Sequence, residues 1–389
     1  MKIRNITLIY DATLPSDGKV IEGVAAYVRE VGNWSVYIEE FALGKQHLPN
    51  LKTWHVDGIL ADFDDPKVSQ DVQEMRIPVV GFGGGYGWYN PDSDIPYFYA
   101  DNKKISRMSA DHFLERGFRN FAYCGYPPTK INGWSFERGE AFQQYVGEAG
   151  FTCSMYKGHH KTAKNWGVML ESICNWLTSL PKPLGLMAAN DKRARQVLEA
   201  CKTLELRVPE QVAVLGVDND EMLCQLATPA LSSVKLGARQ LGYQAASLLD
   251  KMISGKSISK YHYTIPPEGV VARASTDVLA IEDREMAEIV RYVHDHAFDG
   301  IKAQDVVDIA GISRPTLESR FEAILGHSIH TEIRNVQLKR AKELIQSSDL
   351  PLKSISRICG FKSIQYLTYF FRQATGQTPA EYRRSFRLQ

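Results

Sequence analysis

Four polar residues stand where apolar runs end. Asp11 follows ITLIY (6–10), Asn190 follows LGLMAA (184–189), Asp218 follows VAVLGV (212–217), and Arg138 opens the helical pattern after NFAYCG (120–125). In open α/β sheets a ligand binds outside the carboxyl ends of the strands. Carboxylate, amide and guanidinium groups together accept and donate, which suits a polyol whose hydroxyls do both. Tyr86, Trp88 and Trp134 offer flat apolar faces for a sugar ring. Taken singly, each polar residue fits a turn or a helix cap at least as well as a ligand contact, and for Asp11 the two readings balance.

Other chemistry has less support. GFGGGYG (81–87) has neither GxGxxG spacing nor a GxxxxGK[ST] lysine, so it reads as a hinge or pocket loop. His159-His160 has no second pair at metal-ligand spacing, and His294 and His296, two apart on a helix, do not face together. No GxSxG elbow, HExxH pair or nucleophile–base arrangement is present. No catalytic residue, metal or cofactor is expected. An enzyme of sugar modification with a helical accessory domain, or a transport binding protein, is the alternative class.

A second kind of chemistry lies in the tail. Residues 311–389 carry 13 Lys and Arg against 6 Asp and Glu, a balance of +7, while residues 1–310 stand at −6. A basic segment on an acidic body is the footprint of a nucleic-acid module. The tail also repeats. VVDIAGISRPTLESRFEAILG (306–326) matches ISRICGFKSIQYLTYFFRQATG (355–376), with Gly311 on Gly360, Leu317 on Leu367 and Phe321 on Phe371. Each copy is a short helix, a glycine-centred turn and a second helix, the helix-turn-helix layout. Leu317 and Phe321, like Leu367 and Phe371, are four apart and point inward. The opposite faces, Arg314, Pro315, Glu318 and Ser319 in one copy and Ile364, Gln365, Thr368 and Tyr369 in the other, can be offered to base edges in double-stranded DNA. Lys339, Arg340 and Lys342 on the joining helix suit phosphates.

The elements that must hold these groups follow from the periodicity. Strand-like runs alternate with helices as far as residue 270, which means a parallel α/β sheet with enough units for two lobes. Beyond IPPEGVVARASTDV the pattern is helical throughout. The expected division is a sensor over 1–270, a linker over 271–284 and an all-α domain over 285–389. The opening MKIRNITLIYDATLP does not read as a signal peptide, and the six cysteines form no CxxC pair. A cytoplasmic, nucleoid-associated protein with buried reduced thiols is expected.

Two families are visible in these residues. Gly360-Phe361, Phe371 and Gly376-Gln377-Thr378-Pro379-Ala380-Glu381-Tyr382-Arg383 resemble the second unit of AraC/XylS-type regulators, although Val307 and Ser356 stand where that family usually has alanine. ANDKRARQVLEACKTLELRVPEQVAVLGVDND (189–220), with TPALSSV (228–234) and LGYQAASLLDKMISG (241–255), resembles the effector domain of LacI-type regulators, a fold shared with type I periplasmic sugar-binding proteins. That resemblance places Arg138, Asn190 and Asp218 on sugar-contact positions. The loop after IPVV (77–80), where the family often has an acidic residue, is glycine here (Gly83, Gly84, Gly85). LacI-type proteins carry their DNA reader at the N-terminus, whereas this reader is C-terminal. By resemblance the combination implies a homodimeric, sugar-responsive activator of a D-xylose catabolic operon, with RNA polymerase a further partner. Nothing in composition or spacing separates a pentose from a hexose.

Overall fold

The apolar runs become the strands of two six-stranded sheets, buried on both faces as parallel sheets require. The structure is a computed structural model that describes residues 3–11, 14–41, 55–64, 66–73, 75–84, 94–127, 133–156, 158, 166–278 and 283–387. Tyr86, Trp88, Gly85 and His159-His160 lie outside the described residues. The chain divides into two units, Met1–Val278 and Leu279–Gln389.

In the first unit, lobe 1 opens with β1 (Arg4–Asp11), α1 (Pro15–Val31), β2 (Trp34–Phe41), β3 (Gly58–Asp62), α2 (Pro66–Gln73), β4 (Val79–Gly83) and β5 (Tyr97–Ala100). The chain then crosses to lobe 2, built from α3 (Asn102–Leu114), β6 (Asn120–Cys124), α4 (Gly133–Glu148), β7 (Cys153–Tyr156), α5 (Trp166–Thr178), β8 (Leu184–Ala188), α6 (Asp191–Thr203), β9 (Val212–Asp218), α7 (Glu221–Leu226) and β10 (Ser232–Lys235). It returns to lobe 1 for α8 (Ala238–Ile253) and β11 (His262–Ile265), then crosses again into β12 (Gly269–Val271). The sheet orders are β11-β5-β4-β3-β1-β2 and β12-β10-β9-β8-β6-β7, parallel throughout except that β12 runs antiparallel to β10.

Lobe 1 is therefore completed by residues far along the chain. Leu8, Leu60, Val80 and Phe98 from its strands share one core with Leu241, Ala245 and Leu249 of α8. Helices α1 and α8 cross without room for a side chain. A Cβ on Gly23 would stand 1.9 Å from the Arg239 carbonyl oxygen, and one on Gly242 1.9 Å from that of Val20.

Three crossings join the lobes, at Ala100–Asn102, Lys235–Gly237 and Ile265–Gly269, and they are tied to one another. The Asp101 N–H donates to Ile265 O (2.9 Å), the Glu268 N–H to Lys235 O (2.8 Å), and Lys235 pairs with Glu268 (2.6 Å).

The stretch 271–284 is expected as a linker, yet its first residues, 271–276, are built into lobe 2, and the first unit runs to Val278. β12 pairs with β10, and Ala274–Thr276 forms a 3-10 turn in which Ser275 and Thr276 are fully buried. Their hydroxyls make tertiary hydrogen bonds, a use that hydropathy does not display. Residues 279–282 lie outside the described residues.

The second unit contains α9 (Arg284–His296), α10 (Ala303–Ala310), α11 (Arg314–Leu325), α12 (Ile329–Ser347), α13 (Leu352–Ile358), α14 (Ile364–Thr375) and α15 (Pro379–Arg387), with no strand among the described residues. Leu317 and Phe321 centre one core, Leu367 and Phe371 the other. Ser313, Ser328 and Ser363 cap α11, α12 and α14 through their side chains, and Gly311, Gly326 and Gly376 close α10, α11 and α14 in the left-handed conformation.

Candidate functional site

The cleft between the lobes holds a cavity of about 100 Å³. A cavity needs at least about 10–15 Å³ to hold one water, so this one has room for a small molecule and not for a lone water only. Arg138, Asn190 and Asp218 form its lobe 2 wall. Asp17, Asp64 and Phe82 face them from lobe 1.

Arg138 is 3% exposed. Helix α4 begins at Gly133, so Arg138 sits in its second turn rather than at its opening. Its Nε donates to Asn102 Oδ1 (2.8 Å), its Nη1 to Ala189 O (2.7 Å), and its guanidinium lies 4.6 Å from the Trp134 ring centre. Nη2 makes no hydrogen bond among the described residues and remains available as a charged donor.

Asn190 serves as a cap and as cleft wall together. Its Oδ1 accepts from the Arg193 N–H (3.0 Å) and the Tyr126 hydroxyl (2.9 Å) at the start of α6, while the residue lines the cavity.

Asp218 ends β9 with φ +107°, and Asn219 follows at +50°, both unfavourable for residues with a side chain. Burial pushes the Asp218 carboxyl up to about 6, against the pull of Arg138 and Lys192.

Asp11 takes another place. It is fully buried and does not line the cavity; its N–H donates to Asp17 Oδ2 (3.1 Å). Asp17, the third residue of α1, reaches the cleft in its place. Burial, reinforced by Asp64, raises it to about 8. Nothing in the spacing distinguishes Asp17 from an ordinary acidic residue in the first turn of a helix. Asn102 is the other functional residue the sequence hides. It sits at the first crossing, accepts from Arg138, and donates to Gly84 O on lobe 1 (3.3 Å) and to Glu137 (2.7 Å).

In the second unit the two recognition helices differ in what they leave free. Arg314, Pro315 and Ser319 on α11 are exposed. Glu318 is partly engaged: one oxygen accepts from the Ile329 N–H at the start of α12 (3.2 Å) and the other lies 3.9 Å from Arg314. On α14, Gln365 and Tyr369 are exposed, Ile364 and Thr368 half-buried. Thr368 returns its hydroxyl to Ile364 O (2.8 Å), and Gln373 donates to the Tyr369 hydroxyl (3.1 Å). Lys339 and Arg340 are exposed and Lys342 half-buried on α12.

Buried polar groups fix the two helix-turn-helix units to α12. Gln337, 1% exposed, donates to Ala297 O (2.6 Å), just after α9 in the core of the first copy, and to Gly360 O (3.2 Å) in the second copy. Arg334 lies over the rings of Tyr366 (4.7 Å) and Phe370 (5.5 Å). Glu332 accepts from His294 (2.5 Å) and His327 (2.6 Å). Burial alone would raise that carboxyl, but the two histidines hold it down at about 2. Only the tertiary fold brings these groups together, so single-helix spacing does not announce them.

A two-lobed binding cleft on one unit and a duplicated helix-turn-helix on the other define a ligand-responsive transcription regulator. Residues 5–103 match the XylR N-terminal domain, 110–276 a periplasmic binding protein-like domain, and 306–385 a helix-turn-helix domain. The chain is 36% identical over 383 residues to the xylose operon regulatory protein of Escherichia coli (strain K12), covering 98% of this chain and 97% of that one. It is 35% identical to its counterpart in Haemophilus influenzae, covering 97% of each. Among solved structures it aligns with that of the xylose-binding transcription activator xylR at 35% identity and a TM-score of 0.66, covering 99% of both chains. A LacI-type regulator from Alkaliphilus metalliredigens shares the sensor fold at 21% identity and a TM-score of 0.56, over 70% of this chain. The chain belongs to the xylose operon regulatory protein family. It is a DNA-binding regulator. No helix among the described residues is long and apolar enough to cross a membrane.

Proposed function

We propose that this regulator binds D-xylose in the cleft, with Arg138 donating to the sugar hydroxyls, Asp218 and Asn190 completing the lobe 2 grip, and Asp17 answering from lobe 1. Asp11 acts behind Asp17. Bound sugar favours the closed cleft, and the second unit then reads promoter DNA. Arg314, Pro315, Glu318 and Ser319 form one reading face; Ile364, Gln365, Thr368 and Tyr369 form the other. The working division is a sensor, a short connection following Val278, and a DNA reader over 285–389. The protein acts in the cytoplasm, at the nucleoid, as a homodimer that recruits RNA polymerase, and it carries out no catalysis. The observation that carries this reading is the buried guanidinium of Arg138 with one donor left toward the cleft cavity.

A thermal-shift screen of the full chain over pentoses and hexoses, paired with binding to DNA from its own upstream region, tests it. D-xylose is expected to give the largest shift and to change DNA affinity. A larger shift from a hexose, or none from any sugar, defeats the assignment.

The pH profile follows from Asp218. The sugar needs its ionised form, which is about nine-tenths populated at pH 7 and about one-tenth at pH 5 for a carboxyl near 6. Affinity is therefore lost as pH falls from 7 through that value, with Kd at pH 5 about tenfold that at pH 7. Calorimetry over this range checks it. Asp218→Asn should bind more weakly with a flatter profile; an unchanged slope would acquit Asp218.

A further inference from the structure

The strained turn at Asp218–Asn219 is held by partners from three directions. The Asn219 N–H donates to Ser233 Oγ (3.0 Å), and the Asp220 N–H to Asp191 Oδ2 (2.8 Å). The third partner comes from the end of the sensor: Arg273 Nη2 donates to Asn219 Oδ1 (2.8 Å), and its Nη1 to Leu231 O (2.8 Å).

The position of Arg273 gives this link its interest. It lies two residues beyond β12 and five before Val278, the last residue of the sensor unit. β12 starts opposite Lys235, whose β9 neighbour is Asp218, and runs away from the cleft. The segment that follows is firmly set in lobe 2. Ser275 Oγ donates to Val214 O (2.6 Å), Thr276 Oγ1 to Ser232 Oγ (2.7 Å), and Arg116 Nε to Thr276 O (3.0 Å). One side chain thus joins the cleft turn to the stretch from which the chain continues into the DNA reader.

Taking the cleft as the sugar site proposed above, we propose that Arg273 is a positioning residue that transmits the state of the Asp218–Asn219 turn to the connection with the DNA-binding unit. A ligand shifts a distant equilibrium only through contacts that differ between the two states. A rigid two-pronged guanidinium between the turn and the exit segment supplies such a contact without touching the sugar. A lysine reaching the same place can satisfy one acceptor well, not both in a fixed plane.

The test separates binding from response. In the full chain, Asn219→Gly keeps the left-handed backbone cheaply and removes the acceptor; Arg273→Ala removes the donor. For each variant, D-xylose Kd is measured by calorimetry, and DNA affinity with and without saturating D-xylose. Wild type should show a sugar-dependent change in DNA affinity, of the order of 5–150-fold for allosteric coupling. Both variants should bind D-xylose within about threefold of wild type while that change shrinks to within about twofold of none. A wild-type ratio in either variant overturns the proposal, and so does loss of sugar binding in step with the response, which would make Arg273 part of the grip alone. If wild type itself ignores D-xylose, the sugar assignment fails first.

Discussion

Arg138→Met is expected to leave the sensor folded and to remove its thermal stabilisation by D-xylose, with Kd weakened at least about a hundredfold. Two losses combine. Hydrogen bonds from a charged donor contribute about 1.5–3 kcal/mol each, and methionine offers none. Arg138 is also the strongest influence holding the Asp218 carboxyl down against burial, so its removal pushes the acceptor on the same cleft wall further up. The variant carries a folding cost as well, because Asn102 Oδ1 and Ala189 O lose their donor, at about 1–3 kcal/mol for each buried acceptor left unsatisfied. Arg138→Lys keeps the charge but not the fork and should fall between. Calorimetry reads the affinity and a thermal melt the stability. An undiminished sugar shift in Arg138→Met would remove this residue from the site.

The second large effect comes from two glycines that the repeat makes equivalent. Gly311 and Gly360 both end the first helix of their units in the left-handed region, at φ +65° and +71°. Their surroundings differ. A Cβ on Gly311 meets no atom within 4 Å, whereas one on Gly360 would lie 2.7 Å from Phe298 O, 2.9 Å from Ala297 O and 2.9 Å from Gln337 Nε2. Gly311→Ala should therefore cost only the conformational penalty, about 1–2 kcal/mol, and leave DNA affinity within a few-fold. Gly360→Ala adds a backbone clash, for which overpacking typically costs about 1–3 kcal/mol more. It also opens the joint that Gln337 makes between the units, so promoter affinity should fall at least about tenfold. Denaturation and anisotropy titration of the two variants in parallel decide it. Equal effects would show that the Gln337 joint does not set the spacing of the recognition helices.

That pair illustrates how much could be read in advance. The duplicated helix-turn-helix of the tail was legible, because inward residues four apart and turn glycines act within a short local stretch. The joint between Gln337 and Gly360 was not, since it depends on tertiary approach. In the sensor the long central strands were plain, while short ones such as β5, β7, β11 and β12 span only three or four residues and carry too little periodicity. Arg138, Asn190 and Asp218 do converge on one cavity. Asp17 takes the place expected of Asp11: its Oδ2 accepts from the Asp11 N–H, and it is Asp17 that lines the cavity. Asn102 and Arg273 owe their positions to the crossings, which no local pattern reveals.

The discontinuity of lobe 1 also sets an order of assembly. Its core needs α8 and its edge needs β11, so the first hundred residues have no complete partner surface until Ile265 has been synthesised. At about 5–20 residues per second that interval is roughly 10–30 s. During it α1 lacks the helix it crosses, and the β5 edge lacks its neighbouring strand. The DNA reader, whose two cores among the described residues draw on the stretch from Met286 to Tyr382, faces no such wait. On the ribosome, the half that detects the sugar is the half at risk of aggregation, and the half that binds the promoter closes quickly once its own residues emerge.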